Sequence, residues 1–277
     1  MVAPDVAPSH RSSASGWVPG APRIAYTLSG AGPTVVFLHG IGGNASNWTE
    51  QSTAISGRYR AVAWDARGYG DSDDYPEALT FPLFAADLLR LLDHLDVAQA
   101  HLVGLSMGGR IALDFYEAHP ARVASLVLCD TFPGYDDSVT LEQREQFIQS
   151  RQQPLLAGKE PCDIAPLVAP TLLSKHASAA SLQRLIDSIS RLHKASYLKA
   201  IVAMTRYEPV AKLTHIHVPS LVICGDEDQL TPPTVARQMA SLIPNAELVI
   251  LEQAGHLSNI EQPAAFNAAL LGFLDRH

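Results

Sequence analysis

Six short apolar segments, rich in β-branched residues, recur along the chain, and each ends in residues typical of turns. They are nearly continuous in apolar character rather than alternating, which is the pattern of strands buried on both faces of a sheet. The predicted strands are residues 34–38, 61–64, 100–104, 125–129, 220–224 and 247–251.

Helical patterns separate several of these strands. Between residues 81 and 95, apolar side chains recur with the period of one helix face, and residues 108–119 form a second pattern that Pro120 stops. Alternating strands and helices predict an α/β fold, a mostly parallel central sheet flanked by helices and wound with right-handed crossovers. Residues 23–29 are predicted to add an antiparallel edge strand at the start.

The stretch from residue 134 to residue 209 breaks this rhythm. It contains no strand-like run but several amphipathic helical patterns, and it is far longer than an ordinary connection. We interpret it as a helical cap over the carboxyl edge of the sheet; the alternative is an additional helical layer with no part in catalysis. The predicted organisation is a loose tail at 1–20, a core at 21–133 and 210–277, and an inserted cap at 134–209.

Composition and charge narrow the class of protein. A chain of 277 residues with a net charge of −8 has no general attraction for nucleic acid or for anionic membrane surfaces. No apolar run approaches the roughly 18 residues that span a bilayer, and the first 20 residues lack the apolar centre of a secretory signal. Three cysteines, none with the spacing of metal ligands, favour a reducing, cytoplasmic setting, and we expect neither a metal nor another cofactor.

The segment GLSMG, residues 104–108, matches the pattern G-x-S-x-G. It lies between a predicted strand and a predicted helix, which is the context of a nucleophile elbow. Such a turn strains the serine backbone, and the flanking glycines let the strand and the helix approach closely. The hydroxyl then lies near a helix amino end, where partial positive charge favours an oxyanion. Ser106 is therefore the predicted nucleophile.

A serine hydroxyl is unreactive at neutral pH without a base. His256 follows the last predicted strand, so it lies on a loop at the same edge of the sheet as Ser106. His101, His215 and His217 lie at the opposite ends of their strands. Position therefore selects His256 as the base.

The third member of such a site is a carboxylate that orients the imidazole. Asp226, Glu227 and Asp228 stand side by side in the loop after the strand at 220–224, and Asp130 follows the strand at 125–129. Spacing alone does not choose among these four. The chain order serine, acid, histidine is the one expected for this type of elbow.

An oxyanion hole requires two backbone N–H donors beside the nucleophile. We expect one from Met107, the residue after Ser106, and the other from Ile41 in the glycine-rich loop HGIGG at 39–43. His39 begins this loop, and we expect it to hold the loop by hydrogen bonds rather than to shuttle protons.

From about residue 23 onward, the chain resembles α/β-hydrolases. The shared landmarks are HG at 39–40, DARGYGDS at 65–72, the elbow at 104–108, the pattern G-x-x-D-x-x-x-P at 225–232, and GH at 255–256. In that family the aspartate of the G-x-x-D-x-x-x-P pattern is the catalytic acid, so the resemblance selects Asp228. It also implies that Asp65 and Arg67 are structural residues that tie loops at the sheet edge.

Within the family, the combination of HGIGG, DARGYGDSD and GLSMGG is most similar to 3-oxoadipate enol-lactonases and related small carboxylesterases. A serine nucleophile excludes the haloalkane dehalogenase and epoxide hydrolase branches, which use aspartate. The proline-rich loop of the meta-cleavage C–C hydrolases is absent from the sequence. Cofactor-free haloperoxidases share the triad and stay open as a possibility.

The predicted function is hydrolysis of a small-molecule carboxylic ester or lactone through a Ser-His-Asp triad and an acyl-enzyme. The alternatives are a C–C bond hydrolase or a cofactor-free perhydrolase on the same triad, or a receptor-like binding protein with little turnover. Trp48, Phe132 and Tyr135 are the expected walls of a partly apolar pocket, and each has core packing as its alternative role.

Overall fold

Eight strands form one sheet in the computed structural model, which describes residues 14–134, 140–209 and 211–277. The strands are β1 (Ala14–Val18), β2 (Ile24–Ser29), β3 (Thr34–Leu38), β4 (Arg60–Trp64), β5 (Ala100–Leu105), β6 (Val123–Cys129), β7 (Ser220–Gly225) and β8 (Glu247–Leu251). Their spatial order is β1-β2-β4-β3-β5-β6-β7-β8. β2 pairs antiparallel with β1 and β4, and all the other pairs are parallel. The predicted mostly parallel α/β sheet is confirmed.

Helices pack against the sheet and explain the continuous apolar strands. The helices outside the segment between β6 and β7 are α1 (Thr49–Ile55), α2 (Phe81–His94), α3 (Met107–Ala118), α8 (Pro233–Leu242), α9 (Ser258–Glu261) and α10 (Pro263–Leu274). α3 packs against β3, β5 and β6, and α8 packs against β7 and β8. Every residue of β3, β5 and β7 is buried. Because neither face of these strands meets water, their sequences are apolar throughout and do not alternate with polar residues.

The start of the sheet differs from the prediction. β2 is antiparallel as expected, but it is not an edge strand, because β1 pairs along its outer side from Ala14↔Leu28 to Val18↔Ile24. Residues 14–18, predicted as part of a loose tail, are therefore ordered. The first 13 residues lie outside the described part of the chain.

Four α-helices lie in the described part of the long segment between β6 and β7. They are α4 (Leu141–Leu156), α5 (Pro161–Val168), α6 (Ala179–Ser190) and α7 (Lys194–Thr205). α4 packs on α7 and α5 packs on α6, while the Ser196 hydroxyl donates to Asp74 at 2.7 Å and so ties α7 to the loop after β4. The separation of this segment as a cap domain at 134–209 stays a prediction. None of the helices described is both long and apolar enough to cross a bilayer.

Candidate active site

Ser106 occupies the sharp turn between β5 and α3. Its φ of +54° and ψ of −111° lie in a region that non-glycine residues rarely adopt. The close approach depends on glycine: a Cβ on Gly108 would lie 2.0 Å from the carbonyl oxygen of Leu38, and one on Gly104 would lie 2.3 Å from that of Gly108. The local geometry is therefore that of the predicted elbow.

His256 lies on the loop between β8 and α9, where its Nδ1 is 2.9 Å from Asp228 Oδ2. Burial disfavours the imidazolium, yet the Asp228 carboxylate raises the pKa of His256 above its ordinary value. Burial likewise opposes ionisation of Asp228, but hydrogen bonds from His256 and Thr231 hold its pKa below the usual range. This pairing engages Nδ1 of the ring and not Nε2.

The other candidate carboxylates have different partners. Asp226 accepts from the amide of Ala254 at 3.2 Å, and Glu227 lies 3.2 Å from the ring of His176. Among the described residues, Asp228 is the carboxylate that contacts the His256 ring. Its neighbour Thr231 also contacts both Asp228 and His256, and no sequence pattern pointed to it.

Asp130 lies buried behind this pair. Its carboxylate accepts from the amide of Gly225 at 2.9 Å and from the hydroxyl and amide of Ser258. Burial, and then the charge of Asp228, raise the pKa of Asp130 to about 7. The alternative acid is thus close to the site but holds the His256 loop through Ser258 instead of through the imidazole.

Within the described residues, a buried group that could hold a metal ion lies in the same region and consists of Asp130, Cys224 and Asp228. The aspartates already accept hydrogen bonds from the surrounding loops. Burial raises the pKa of the Cys224 thiol, which donates toward the carbonyl of Thr231. The surrounding loops supply hydrogen-bond partners for all three residues, so their chemistry gives no reason to assign a metal.

The glycine-rich loop at 39–43 faces Ser106 across the top of β3. His39 Nδ1 donates to the carbonyl of Gly40 at 2.8 Å and Nε2 accepts from the amide of Ala66 at 3.1 Å. These two hydrogen bonds hold the loop, as the sequence predicted. Burial lowers the pKa of His39, which favours the neutral form of its ring. Met107 is the first residue of α3, where backbone N–H groups have no acceptor within the helix.

Ser106, His256 and Ile41 line one cavity of about 470 Å³, its mouth included. Most of its wall is apolar. The wall comprises the loop 39–43 with Asn47, Trp48, Leu105, Ser106, Leu172, Leu185, Leu230, His256, Leu257 and Asn259.

The predicted aromatic walls have three different outcomes. Trp48 lines the cavity, although its ring also packs against Phe37 in the core, with centroids 5.0 Å apart. Phe132 is not in this wall: it stacks on the guanidinium of Arg110 at 3.6 Å and lines a neighbouring groove. Tyr135 lies outside the described residues. The sequence analysis did not predict the aliphatic part of the wall, which includes Leu172, Leu185 and Leu230. These leucines lie on separate segments, and no sequence motif identifies them.

The residues implied to be structural have that role here. Asp65 accepts from the amides of Ala45 at 2.7 Å and Asp71 at 2.9 Å, and so joins two loops. Arg67 forms a bidentate ion pair with buried Asp87, at 2.6 and 2.9 Å.

Comparison with known proteins places these features in a family. The sequence pattern of the alpha/beta hydrolase fold matches residues 33–263. RutD of Pseudomonas syringae, a putative carbamate hydrolase, is 30% identical over 87% of this chain and 93% of its own length. 3-Oxoadipate enol-lactonase 1 of Acinetobacter baylyi is 30% identical over 87% of this chain and 88% of its own. Among solved structures, a thermophilic esterase from Thermogutta terrifontis has a TM-score of 0.84 at 27% identity, over 92% of this chain and 94% of its own.

These similarities confirm the resemblance to enol-lactonases and esterases that the motifs indicated. They extend over nearly the whole described chain and include the sheet that carries the elbow. The chain belongs to the family of the alpha/beta hydrolase fold.

Proposed function

We propose that this protein hydrolyses carboxylic esters or lactones through an acyl-enzyme on Ser106. The observation that carries the proposal is the Nδ1–Oδ2 pairing of His256 with Asp228 at 2.9 Å, in a cavity that His256 shares with Ser106. The names of the relatives, an enol-lactonase and an esterase among them, support the same reaction class.

The proposed reaction has two steps, acylation of Ser106 and hydrolysis of the acyl-enzyme. The Ser106 oxygen attacks the carbonyl carbon while His256 Nε2 takes its proton, and Asp228 stabilises the imidazolium. The backbone N–H groups of Ile41 and Met107 stabilise the resulting oxyanion. His256 then protonates the departing alkoxide, which leaves as an alcohol, and the acyl-enzyme remains. Water then attacks the acyl carbon while His256 takes its proton. The bond between the acyl carbon and the Ser106 oxygen breaks, His256 returns the proton to that oxygen, and the acid is released.

The cellular setting is proposed as well. Cys129, Cys162 and Cys224 are free thiols, which suits a reducing compartment such as the cytoplasm.

Substitution of the nucleophile tests the reaction. Ser106→Ala should lower kcat on an activated aryl ester by roughly a million-fold, as in other hydrolases that lose the nucleophile. A fluorophosphonate probe should add its mass to the wild-type protein and not to this variant. Ser241→Ala, an exposed serine on α8, is the matched control and should keep both properties. Retention of more than about a tenth of the rate in Ser106→Ala would contradict the proposal.

A further inference from the structure

Glu261 joins two separate parts of the chain through backbone hydrogen bonds. It is the last residue of α9, and its side chain is partly buried. Oε1 accepts from the amide of Gly255 at 2.9 Å, and Oε2 accepts from the amide of Ser174 at 2.8 Å. Gly255 is the residue before His256, whereas Ser174 lies in the segment between β6 and β7. One carboxylate therefore holds the histidine loop and that segment at a fixed distance.

A short piece of that segment, residues 172–176, lies directly against the histidine loop, and we call it the strap. The amide of His256 donates to the carbonyl of Leu172 at 2.8 Å. The approach requires glycine in the loop, since a Cβ on Gly255 would lie 2.6 Å from the amide nitrogen of Ser174. The backbone that carries the imidazole thus rests on the strap.

The strap also contacts the loop of the proposed acid. The amide of Lys175 donates to Glu227 at 3.3 Å, and the side chains of Lys175 and His176 each lie 3.2 Å from the same carboxylate. Glu227 is the residue before Asp228. The strap therefore bridges the two loops whose side chains meet in the 2.9 Å contact between His256 and Asp228.

These ties differ in strength. The side chains of Lys175 and His176 are exposed, so their ion pairs are screened by water and contribute little. Hydrogen bonds from a backbone N–H to a carboxylate are roughly twice as strong as neutral ones, and Glu261 accepts two of them. Among the described residues, Glu261 is therefore the strongest side-chain tie between the strap and the histidine loop.

The strap borders the space in which a substrate would lie. Leu172 lines the cavity that contains Ser106, and it also lines a second cleft of about 1590 Å³, its mouth included. His256 lines both spaces as well. A displacement of the strap would therefore move a wall of the substrate space and the backbone of His256 together.

We propose that Glu261 is a positioning residue that holds the strap against the histidine loop and so keeps the imidazole of His256 in place beside Asp228. Glu261 acts through the backbone and touches no reacting atom. The inference rests on the proposed reaction at Ser106, in which a misplacement of about 1 Å can cost about 10²-fold in rate.

An isosteric substitution tests this role. Glu261→Gln keeps one accepting oxygen but presents an NH₂ group to the other amide, so it should lower kcat on an activated aryl ester by at least about tenfold. Glu261→Ala keeps no acceptor and should lower kcat further. Glu252→Gln makes the same chemical change at an exposed side chain after β8 and should leave kcat unchanged. Each variant is assayed well below its own thermal midpoint.

Proton NMR distinguishes positioning from a purely structural role. The proton between His256 Nδ1 and Asp228 should give a low-field signal in the wild-type protein, and the loss of this signal in His256→Ala assigns it. In folded Glu261→Gln the signal should shift or exchange faster with water, and in Glu252→Gln it should be unchanged. A lower thermal midpoint of Glu261→Gln with an unchanged signal would overturn the proposal.

A second variant loosens the strap without changing any charge. The hydroxyl of Ser174 donates to the carbonyl of Gln253, on the histidine loop, at 3.2 Å. Ser174→Ala removes this tie and leaves Glu261 in place, so it should alter the same NMR signal and lower kcat by less than Glu261→Gln does. It also provides the test if Glu261→Gln does not fold, and an unchanged signal in Ser174→Ala would then overturn the proposal.

The NMR measurement needs no substrate and so separates this inference from the proposed reaction. An altered signal in Glu261→Gln, in a protein whose wild type hydrolyses no ester, would support the positioning role and overturn the proposed reaction. Ester hydrolysis by the wild type, with the signal unchanged in both Glu261→Gln and Ser174→Ala, would support the reaction and overturn the positioning role.

Discussion

Asp228 uses both of its carboxylate oxygens. Oδ2 accepts from His256 and from the hydroxyl of Thr231 at 2.6 Å, and Oδ1 accepts from the amides of Leu230 and Thr231. An asparagine of the same shape would keep much of this frame. It would, however, remove the charge that stabilises the imidazolium and would favour the wrong imidazole tautomer.

We therefore expect Asp228→Asn to lower kcat on an activated aryl ester by about 10⁴-fold. Asp226→Asn makes the same chemical change two residues earlier in the chain, at a carboxylate that accepts from the amide of Ala254. This variant should lower kcat by less than about tenfold. Steady-state kinetics of the two purified variants gives the comparison. A larger loss in Asp226→Asn would show that the acid is wrongly assigned.

Asp130 should influence the reaction through charge rather than contact. Its pKa of about 7 means that it gains a negative charge as the pH rises through neutrality. A negative charge near His256 stabilises the imidazolium and so raises the pKa of His256. Since the reaction needs a neutral imidazole, the charge of Asp130 moves the acid limb of the rate profile to higher pH.

Asp130→Asn should accordingly shift the acid limb of kcat/KM to lower pH than in the wild type. Asp226→Asn is the control and should leave the limb in place. The measurement is the pH profile of kcat/KM for an ester with a pH-independent chromophore. An unmoved limb, or one shifted to higher pH, would contradict the electrostatic role of Asp130.

At the scale of elements, the junction of β5 with α3 depends on glycine for its spacing. Gly108→Ala should lower the free energy of unfolding by about 1–3 kcal/mol or more, because its Cβ would meet the backbone of Leu38. Gly272→Ala on α10 is the matched control: its Cβ would meet only Arg276 Nη1, at 3.7 Å. That change should raise stability by up to about 1 kcal/mol, through helix propensity. Urea unfolding of both variants gives the comparison, and equal effects would contradict the argument.

The local sequence predicted the strand boundaries well where a strand is buried on both faces of the sheet. The six predicted strands all form, with each end within two residues of the prediction. β1 was missed because Ala14–Val18 has no apolar pattern of its own: Trp17 is half exposed, and Val18 is its one fully buried residue. The strand exists because the outer edge of β2 offers backbone hydrogen bonds, which a single sequence does not reveal.

At the scale of the whole molecule, the cavity gathers distant parts of the chain. Its wall combines the loop after β3, the elbow, Leu172 and Leu185 from the segment between β6 and β7, and the loops after β7 and β8. The contribution of Leu172 and Leu185 agrees with a covering role for that segment. We retain the cap as a proposal on this basis.

The sequence by itself determined the sheet class, the elbow at Ser106 and the loop position of His256. These depend on short-range properties: apolar runs, glycines that allow close approach, and strand ends that share one edge of a parallel sheet. Local spacing left four carboxylates open, and only family resemblance reduced them to Asp228. The tertiary structure decided that Asp130 bonds to Ser258, that Phe132 faces another groove, and that Asn259 meets Asn47 across 212 residues of chain. Such contacts are set by how elements pack, and no local period or motif encodes them.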